Sequence, residues 1–293
     1  MSKSDIGFIG LGRMGKNMVL NLVDKNYKVS AYNRSPKTLK KTRVFRDMKE
    51  MVKSLKSPKI IWIMVTAGKP VDSVLTELTP LLSKGDIIID GGNSFYKDSI
   101  KRANKLSKKS IHFLDCGTSG GIEGARNGSC MMIGGNKKAF SKAERFFESM
   151  CVKNGYGYMG KSGAGHFVKM VHNGIEYGMM GAIAEGFQTI SKNKEFKIDA
   201  KEVAKVYAHG SIVSGYLMNC LLNARAKKDY SKISCEVPRG ETEEEMKFLI
   251  KNNKMNILKD AVRQREDSRK GKFCGRDIAA MRNEFGGHKV KRK

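Results

Sequence analysis

The strongest constraint on the fold is a glycine pattern near the start of the chain, between a short apolar run and a helical pattern. The stretch IGFIGLGRMGKNM places Gly10, Gly12 and Gly15 in G-x-G-x-x-G spacing. The first glycine permits a tight turn, the second lets a pyrophosphate approach the backbone, and the third lets helix and strand pack closely. The helix that follows offers backbone N–H groups and a positive dipole end to phosphates. We therefore expect a dinucleotide site formed by Gly10, Gly12, Arg13, Met14 and Gly15.

Strand-like and helix-like patterns alternate over the first half of the chain, which implies crossover connections and a parallel sheet. Residues 35–55 are predicted to form one helix, and SCMMIGG at 129–135 a late strand. Only helical patterns follow from Gly163 onward. The predicted fold class is α/β: an N-terminal, Rossmann-like, doubly wound parallel sheet that binds the cofactor (1–162), followed by an all-helical domain for substrate binding and dimerisation (163–293).

The composition is basic, with 56 Lys and Arg against 29 acidic residues and a net charge of +27. Such a balance suits anionic partners, namely nucleic acid, anionic lipid or phosphorylated small molecules. The lysines are spread along the chain, so we attribute the excess to surface composition. The apolar runs are too short to cross a bilayer, and no secretory signal is visible. The six cysteines form no C-x-x-C pair, which predicts free thiols in a reduced, cytoplasmic compartment and no zinc site.

The end of the second predicted strand carries Asn33, Arg34 and Ser35. Enzymes that use NAD commonly have Asp or Glu at this position, because a carboxylate binds the ribose hydroxyls. A carboxylate would repel a 2′-phosphate, whereas a guanidinium pairs with it. We therefore expect contacts from these three residues and a preference for NADP over NAD. The alternative is that Arg34 is an ordinary exposed loop residue.

Three further loops follow predicted strands, and in open α/β sheets such loops line the ligand crevice. VTAG and DGGNS follow the third and fourth strands, and CGTSGG follows the fifth. The last of these loops offers a hydroxyl and close backbone N–H groups, which suit a carboxylate. A purely structural turn remains an alternative for each loop taken alone. The candidate cofactor contacts are Val65, Thr66, Ala67 and Asn93, and the candidate substrate contacts are Asn93, Ser119, Gly120 and Gly121.

The stretch KMVHNGIEYG places five polar side chains in an otherwise apolar helical pattern: Lys169, His172, Asn173, Glu176 and Tyr177. At about 100° per residue, all five fall within an arc of about 140°. A solvated surface helix could show a similar face. If the face lines a crevice, a partly desolvated lysine could have its pKa lowered and serve as a base. A glutamate in the same pocket could stay protonated and serve as an acid.

These motifs together resemble the decarboxylating 6-phosphogluconate dehydrogenase family, in its short form. The resemblance rests on GFIGLGRMGKNM, YNRSP, MVTAG, DGGNS, GTSGGIEGARNG and GAGHFVKMVHNGIEYGMM, and on RNEFGGH near the end. It runs from about residue 5 to 189 and resumes at about 277–290. HNGIEY is its most diagnostic part, because related β-hydroxyacid dehydrogenases share the glycine loop and a helix lysine but not this segment.

The resemblance implies an NADP-dependent oxidative decarboxylation of 6-phosphogluconate to ribulose 5-phosphate, without a metal, in the pentose phosphate pathway and gluconate utilization. It implies that Lys169 takes the C3 hydroxyl proton and later returns it to the ketone oxygen. Glu176 would protonate C1 of the enediol. Arg282 and His288 would reach the site of a neighbouring subunit, so a homodimer or homotetramer is expected. The implied substrate contacts are Asn93, Ser119, Gly120, Gly121, His172, Asn173, Tyr177, Arg282 and His288.

Two regions depart from the family pattern. Ser214 stands where the family usually carries an arginine that binds the substrate phosphate. In the segment 234–246, only Thr242 of the usual G-R-W-T motif is kept, and the segment that follows, to about residue 270, lacks the usual proline-rich apolar run. The missing arginine favours one alternative, a β-hydroxyacid dehydrogenase for a smaller or unphosphorylated acid, such as 3-hydroxyisobutyrate. The basic charge favours another, a nucleic-acid-binding protein that retains the fold, which we consider the weaker because no reading motif is present.

Overall fold

The computed structural model describes residues 4–35 and 37–292. The chain separates into two compact units, Met1–Lys169 and Met170–Lys293. A long helix that begins at Ala164 runs across this division. The boundary that we predict between residues 162 and 163 therefore precedes this helix, and it stays a prediction.

In the first unit, the described residues form one eight-stranded sheet in the order β3-β2-β1-β4-β5-β6-β7-β8. All neighbouring strands are parallel except β6 and β7, which are antiparallel. The strands are β1 (Ile6–Ile9), β2 (Val29–Tyr32), β3 (Arg43–Phe45), β4 (Ile60–Ile63), β5 (Ile87–Asp90), β6 (His112–Ser119), β7 (Ser129–Gly135) and β8 (Cys151–Gly160). The helices that connect them are α1 (Arg13–Asp24), α2 (Met48–Lys53), α3 (Lys69–Leu78), α4 (Tyr96–Ser107), α5 (Gly121–Asn127) and α6 (Lys137–Met150).

Both faces of this sheet are covered, because successive side chains of each strand point to opposite faces. In β1, Ile6 and Phe8 pack in a core with α1, α5 and α6, whereas Ile9 packs in a second core with α2, α3 and α4. All three side chains are buried. Parallel strands that are covered on both faces read as continuous apolar runs, as KIIWIMV does. The predicted Rossmann-like, doubly wound sheet is confirmed.

Two strands at the edges of the sheet were missed by the sequence patterns. The single helix predicted for 35–55 is wrong: β3 pairs with β2 through Arg43 and Ser30. A separate helix, α2, then begins after Asp47, whose carboxylate accepts the backbone N–H of Glu50 at 2.9 Å. At the other edge, β8 carries few buried residues, and its pairing with β7 decides its conformation. Edge strands bury little apolar surface, so their sequence patterns are weak.

The second unit is helical, as predicted. Met180, Ala184 and Phe187 of the long helix α7 (Ala164–Lys192) form a core with residues of three further helices, such as Leu221 and Met281. Close packing also occurs at Gly174 of α7, where an added Cβ would lie 3.3 Å from Leu258. The helices are α7 (Ala164–Lys192), α8 (Ala200–Ala208), α9 (Tyr216–Ala226), α10 (Glu243–Asn252), α11 (Asn256–Ser268) and α12 (Arg276–Gly286).

The cysteines do not all remain thiols. Cys235 and Cys274 form a disulfide across 39 positions of sequence, which corrects the expectation of free thiols throughout. The two cysteines meet only because α10 and α11 fold the chain back between them, so their spacing carries no signal. The cysteines outside this disulfide are Cys116, Cys130, Cys151 and Cys220. None of the described helices has the length and apolar character needed to span a membrane.

Candidate active site

The loops that follow the central strands leave the sheet at one edge, because β1, β4 and β5 run parallel. The backbone hydrogen bonds of the sheet continue one residue past each strand. The N–H of Gly10 donates to the carbonyl of Tyr32 at 3.0 Å, and the N–H of Met64 donates to the carbonyl of Ile9 at 2.7 Å. Gly91 N–H likewise bonds to the strand beside it. The predicted cofactor loops therefore begin side by side at the carboxyl edge of the sheet.

The glycine loop has the geometry that its spacing predicts. Gly10 has φ +101°, and a Cβ there would lie 2.2 Å from the Met64 carbonyl oxygen. A Cβ on Gly15 would lie 2.1 Å from the Gly10 oxygen. Gly12, by contrast, faces open space and is the N-cap of α1, with no side chain bonded to the helix end. Arg13 is the first residue of α1, and the first N–H groups of this helix suit a pyrophosphate.

The loop after β2 is tied to the glycine loop by Asn33. Its side-chain oxygen accepts the Leu11 N–H at 2.8 Å, and its amide donates to the Ser35 carbonyl at 2.8 Å. Arg34 is exposed beside it. Sequence reasoning missed Lys37, whose ammonium donates to the Leu11 carbonyl at 2.7 Å. The only sign of this role in the sequence is that Lys37 is a second cationic residue, three positions after Arg34.

A buried arginine, Arg102 of α4, joins the loops that follow β4 and β5. It bonds to Asp72 at 2.8 Å, to the Gly68 carbonyl at 3.1 Å and to Ser94 at 3.3 Å. Ser94 in turn donates to the buried Asp90 at 2.7 Å. This network sets the positions of the loop 65–67 and of the DGGNS loop that contains Asn93. The sequence offered no signal for it, because a lone arginine in a helix usually faces solvent.

The start of α7 is fixed by a fully buried carboxylate on β6. One oxygen of Asp115 accepts the Gly163 N–H at 2.6 Å, and the other accepts the His166 N–H at 2.9 Å. The ring of His166 bonds to Ser99 at 2.7 Å. An ionised acceptor at a helix N-terminus satisfies N–H groups that lack partners within the helix and interacts well with the helix dipole. Asp115 therefore sets where α7 begins and how its first turn lies against β6.

Lys169 packs directly against β6, and its side chain is buried. A Cβ on Gly117 would lie 2.3 Å from the Lys169 Cβ, so a glycine is required at that point of the strand. β6 ends two residues later at Ser119, and the left-handed residues Gly120 (φ +108°) and Gly121 (φ +62°) lead into α5. Within the first unit, the predicted base therefore lies beside the strand that carries the predicted substrate loop.

Most of the polar face of α7 is covered, whereas part of its apolar side is exposed. Asn173 and Tyr177 are buried, but Ile175 is 59% exposed and Met179 is 51% exposed. An ordinary amphipathic surface helix shows the reverse arrangement. His172 lies 4.0 Å from the Glu176 carboxylate and 3.4 Å from the Asn173 amide oxygen. The face that we predict to carry chemistry is therefore covered at Lys169, Asn173 and Tyr177, while His172 and Glu176 remain half-buried.

Tyr177 connects α7 to the end of the chain within the helical unit. Its hydroxyl bonds to that of Thr242 at 3.0 Å, and the guanidinium of Arg265 lies 3.2 Å from its ring centroid. Arg282 is buried beside this group and donates to the Pro238 carbonyl at 2.7 Å. The structure thus brings Arg282 next to the Tyr177 of the same chain. Arg265 is a residue that sequence reasoning missed.

The other residue predicted from the C-terminal motif, His288, is placed differently. It is exposed just past the end of α12, with its ring edge-on to Phe285 at 6.0 Å. Gly287, at φ +59°, ends the helix and turns the chain there. Within the helical unit, the structure therefore does not bring His288 to Tyr177 as it brings Arg282.

Two family models match this chain. The NAD binding domain of 6-phosphogluconate dehydrogenase matches residues 5–160, and the C-terminal domain of the same enzyme matches residues 165–233. The chain belongs to the 6-phosphogluconate dehydrogenase family. The matched ranges contain the glycine loop, the loops at the carboxyl edge and α7 from Gly165 onward. Residues 234–293 lie outside both matches; they include the divergent segment 234–270 and also the stretch at about 277–290 for which we expect the resemblance to resume.

The relatives that match this chain include a protein of similar length and enzymes about twice as long. YqeC of Bacillus subtilis (strain 168), named only provisionally as such a dehydrogenase, is 41% identical over 98% of this chain and 99% of its own length. The chain spans about half the length of the curated decarboxylating enzymes that it matches, for example 43% of that of Candida albicans and 52% of that of Chlamydia muridarum. A structure of Plasmodium falciparum 6-phosphogluconate dehydrogenase, described in apo form and with NADP+ or 6-phosphogluconate, gives a TM-score of 0.81. It is 30% identical and covers 90% of this chain and 62% of that one.

Two observations bear on what a 6-phosphogluconate dehydrogenase site could hold here. Across residues 4–35 and 37–292, no cluster of His, Cys, Asp and Glu is arranged to bind a metal ion. A cavity of about 560 Å³ lies along α6 and β8, and its lining includes Lys137, Glu144 and Tyr158 but none of the predicted site residues. This cavity is therefore separate from the candidate active site. We locate the candidate active site by the chemistry of its residues and not by the size of a cavity.

Proposed function

We propose that this protein oxidises and decarboxylates 6-phosphogluconate to ribulose 5-phosphate and CO2, with NADP as the hydride acceptor. The observation that carries the proposal is the polar face of α7, on which Lys169, Asn173 and Tyr177 are buried and His172 and Glu176 are half-buried. A base and an acid seven residues apart lie about 10 Å apart along a helix and on one face. Membership of the 6-phosphogluconate dehydrogenase family supports the same reaction.

The chemistry requires one base and one acid. Hydride transfer to a nicotinamide is the chemistry that NADP supplies when bound. Lys169 takes the C3 hydroxyl proton as C3 loses its hydride, which leaves a ketone at C3. The bond to the carboxyl carbon then breaks, and its electron pair moves toward the ketone oxygen, to which Lys169 returns the proton. Glu176 protonates the carbon that lost CO2. A ketone is itself the electron sink, so the proposal includes no metal.

The residues at the carboxyl edge fit a dinucleotide phosphate. Gly12 leaves open space at the N-terminal end of α1, and Gly68, at φ +83°, leaves open space at the N-terminal end of α3. We propose NADP in preference to NAD, because Arg34 and Lys37 place two cations by the loop after β2 and no carboxylate is present among residues 33–37. The test is kcat/KM with each cofactor. A higher value with NAD would contradict this part of the proposal.

The decisive assay is NADPH formation with 6-phosphogluconate, with CO2 release measured in parallel. We expect Lys169→Met and Glu176→Gln each to lower kcat by about 10²–10⁴-fold, the usual contribution of a positioned acid or base. Lys192→Met and Glu185→Gln make the same chemical changes at exposed positions of the same helix, and we expect both to retain activity. If Lys169→Met keeps nearly normal kcat, its role as the base is wrong.

A second candidate function is the oxidation of a smaller or unphosphorylated β-hydroxyacid. The observation that favours it is Ser214, which is exposed and carries no charge where a phosphate-binding arginine was expected. The same assay with gluconate and 3-hydroxyisobutyrate separates the two functions. A higher kcat/KM with either of these acids than with 6-phosphogluconate would favour the second candidate.

An oligomer is part of the proposal. Ile175 and Met179 of α7, Ile212 and Ile257 are exposed apolar side chains on the helical unit. Such surfaces often mark contacts between subunits. We propose a homodimer or homotetramer, tested by light scattering coupled to gel filtration; a monomer at assay concentration would contradict it. The cytoplasmic location and the place in the pentose phosphate pathway stay predictions.

A further inference from the structure

The helical unit contains a covalent link that the proposed chemistry does not use. The disulfide between Cys235 and Cys274 joins the segment 234–242 to the turn just before α12. Both cysteines are half-buried, so a small reductant can reach the bond. Disulfides are rare in reduced compartments, and those that occur there are usually transient and sense the redox state. The cytoplasmic location that we predict therefore makes this bond a candidate for redox control.

The segment 234–242 has little structure of its own. All of its residues are among those described, and none lies in a helix or strand. The carbonyl of Cys235 accepts the N–H of Gly275 at 2.8 Å. Val237 is fully buried, and its N–H donates to the Ser268 hydroxyl at 3.0 Å. These contacts keep the chain folded when the disulfide is open, whereas the closed disulfide adds a covalent restraint across 39 positions.

This irregular segment contacts two of the predicted substrate-binding residues. The carbonyl of Pro238 accepts a hydrogen bond from Arg282 at 2.7 Å. The hydroxyls of Thr242 and Tyr177 bond to each other at 3.0 Å. A Cβ on Gly240 would lie 2.7 Å from a terminal nitrogen of Arg282, so the backbone approaches that side chain closely. The position of the segment therefore fixes the orientation of both side chains.

The other end of the disulfide is held firmly within the helical unit. Gln188 of α7 donates its side-chain amide to the Cys274 carbonyl at 2.8 Å. Directly after it, α12 packs into the core through Ile278 and Met281. Opening the disulfide therefore frees the segment 234–242 and leaves α7 and α12 in place.

We propose that the Cys235–Cys274 disulfide is a redox switch that controls the affinity of the site for its substrate. When the disulfide is closed, the segment 234–242 holds Tyr177 and Arg282 in the orientation that binds substrate. A dithiol opens it by transferring two electrons and two protons: the S–S bond breaks, two thiols form, and the dithiol becomes a disulfide. The open form binds substrate more weakly.

The switch acts on the substrate and not on the cofactor, because the cofactor loops belong to the first unit. The inference rests on the proposed function for the identity of the substrate. The loosening of the segment 234–242 is measurable without turnover, so the two proposals can fail separately.

The first test compares the oxidised and reduced forms of the full-length protein. Glutathione buffers of graded ratio set the redox state, and alkylation of thiols followed by peptide mass spectrometry measures it. We expect reduction to raise KM for 6-phosphogluconate about 3–10-fold, the usual value of one hydrogen bond, and to leave KM for NADP unchanged. Cys235→Ser and Cys274→Ser should show the raised KM with or without reductant. Cys130→Ser, at an exposed cysteine outside the disulfide, is the matched control and should respond to reductant as the wild type does; circular dichroism checks that each variant is folded.

The second test follows the segment directly by limited digestion with trypsin. Arg239 lies in the segment, and its side chain is 65% exposed. Cleavage of a transiently opened backbone follows the population of the open form, so we expect reduction to speed cleavage after Arg239 about tenfold. Cleavage after Lys197, an exposed residue between α7 and α8, is the control and should not change.

The outcomes separate the switch from a static cross-link. An unchanged KM for 6-phosphogluconate on reduction would overturn the inference, and so would an equal rise in KM for the substrate and for NADP. Failure of the disulfide to form in oxidised glutathione would overturn it as well. If the wild type turns over no 6-phosphogluconate, the proposed function fails and cleavage after Arg239 decides. Faster cleavage on reduction would then support the switch, and equal cleavage would overturn it.

Discussion

Replacing Asp115 with asparagine tests whether one buried carboxylate holds the helix that carries the proposed base. The two oxygens of Asp115 accept the N–H groups of Gly163 and His166 at 2.6 and 2.9 Å. Asparagine has a single acceptor oxygen, so one N–H would face an NH2 group. Each hydrogen bond to a charged acceptor contributes about 1.5–3 kcal/mol to stability. Because asparagine is neutral, the variant avoids the cost of burying a charge, and this offsets part of the lost hydrogen-bond energy. We expect a net loss of about 2–3 kcal/mol in the free energy of unfolding.

The assay is urea denaturation followed by the fluorescence of Trp62, the single tryptophan, which is buried in the same unit. Asp47→Asn is the matched control, because Asp47 caps α2 with one bond at an exposed site. Asparagine caps helices about as well as aspartate, so the control should change by less than about 0.5 kcal/mol. Asp115→Asn should also lower kcat, since α7 carries Lys169. If it destabilises the protein no more than Asp47→Asn does, the structural role assigned to Asp115 is wrong.

Two further predictions concern close packing and thiol reactivity. Gly117→Ala should lower the free energy of unfolding by about 1–3 kcal/mol and should also lower kcat, because its Cβ would overlap the side chain of Lys169. Gly124→Ala, whose Cβ would meet its nearest neighbour at 3.6 Å within a helix, should be neutral or stabilising, and loss of activity in both variants alike would contradict the packing argument. Iodoacetamide at pH 8 should label the exposed Cys130 well before Cys151, because burial raises the pKa of Cys151 to about 12. The thiolate is the reactive form, so labelling of Cys151 should rise with pH, and the stability that its protonated thiol contributes should fall as the pH rises from about 9. Peptide mass spectrometry measures the order of labelling; equal rates at pH 8 would contradict it.

Much of the candidate site was predictable from sequence, because its parts are local. The glycine loop needs three residues at fixed spacing beside a strand and a helix, and Gly10 and Gly15 show the close approaches that this spacing requires. The polar face of α7 follows from helical periodicity alone, although periodicity could not say whether that face is covered. The exposed Ile175 and covered Asn173 show that tertiary packing reverses the usual preference.

The tertiary structure alone decided the features that depend on residues far apart in sequence. Asp115 meets the start of α7 across 48 positions, and Cys235 meets Cys274 across 39. Arg265 is buried against the ring of Tyr177, 88 positions away in sequence, only when the helical unit has folded. Local order follows from backbone geometry and short-range periodicity, which a sequence displays directly. The pairing of a buried charge depends on which distant segments close around it, and that is decided only when the whole chain packs.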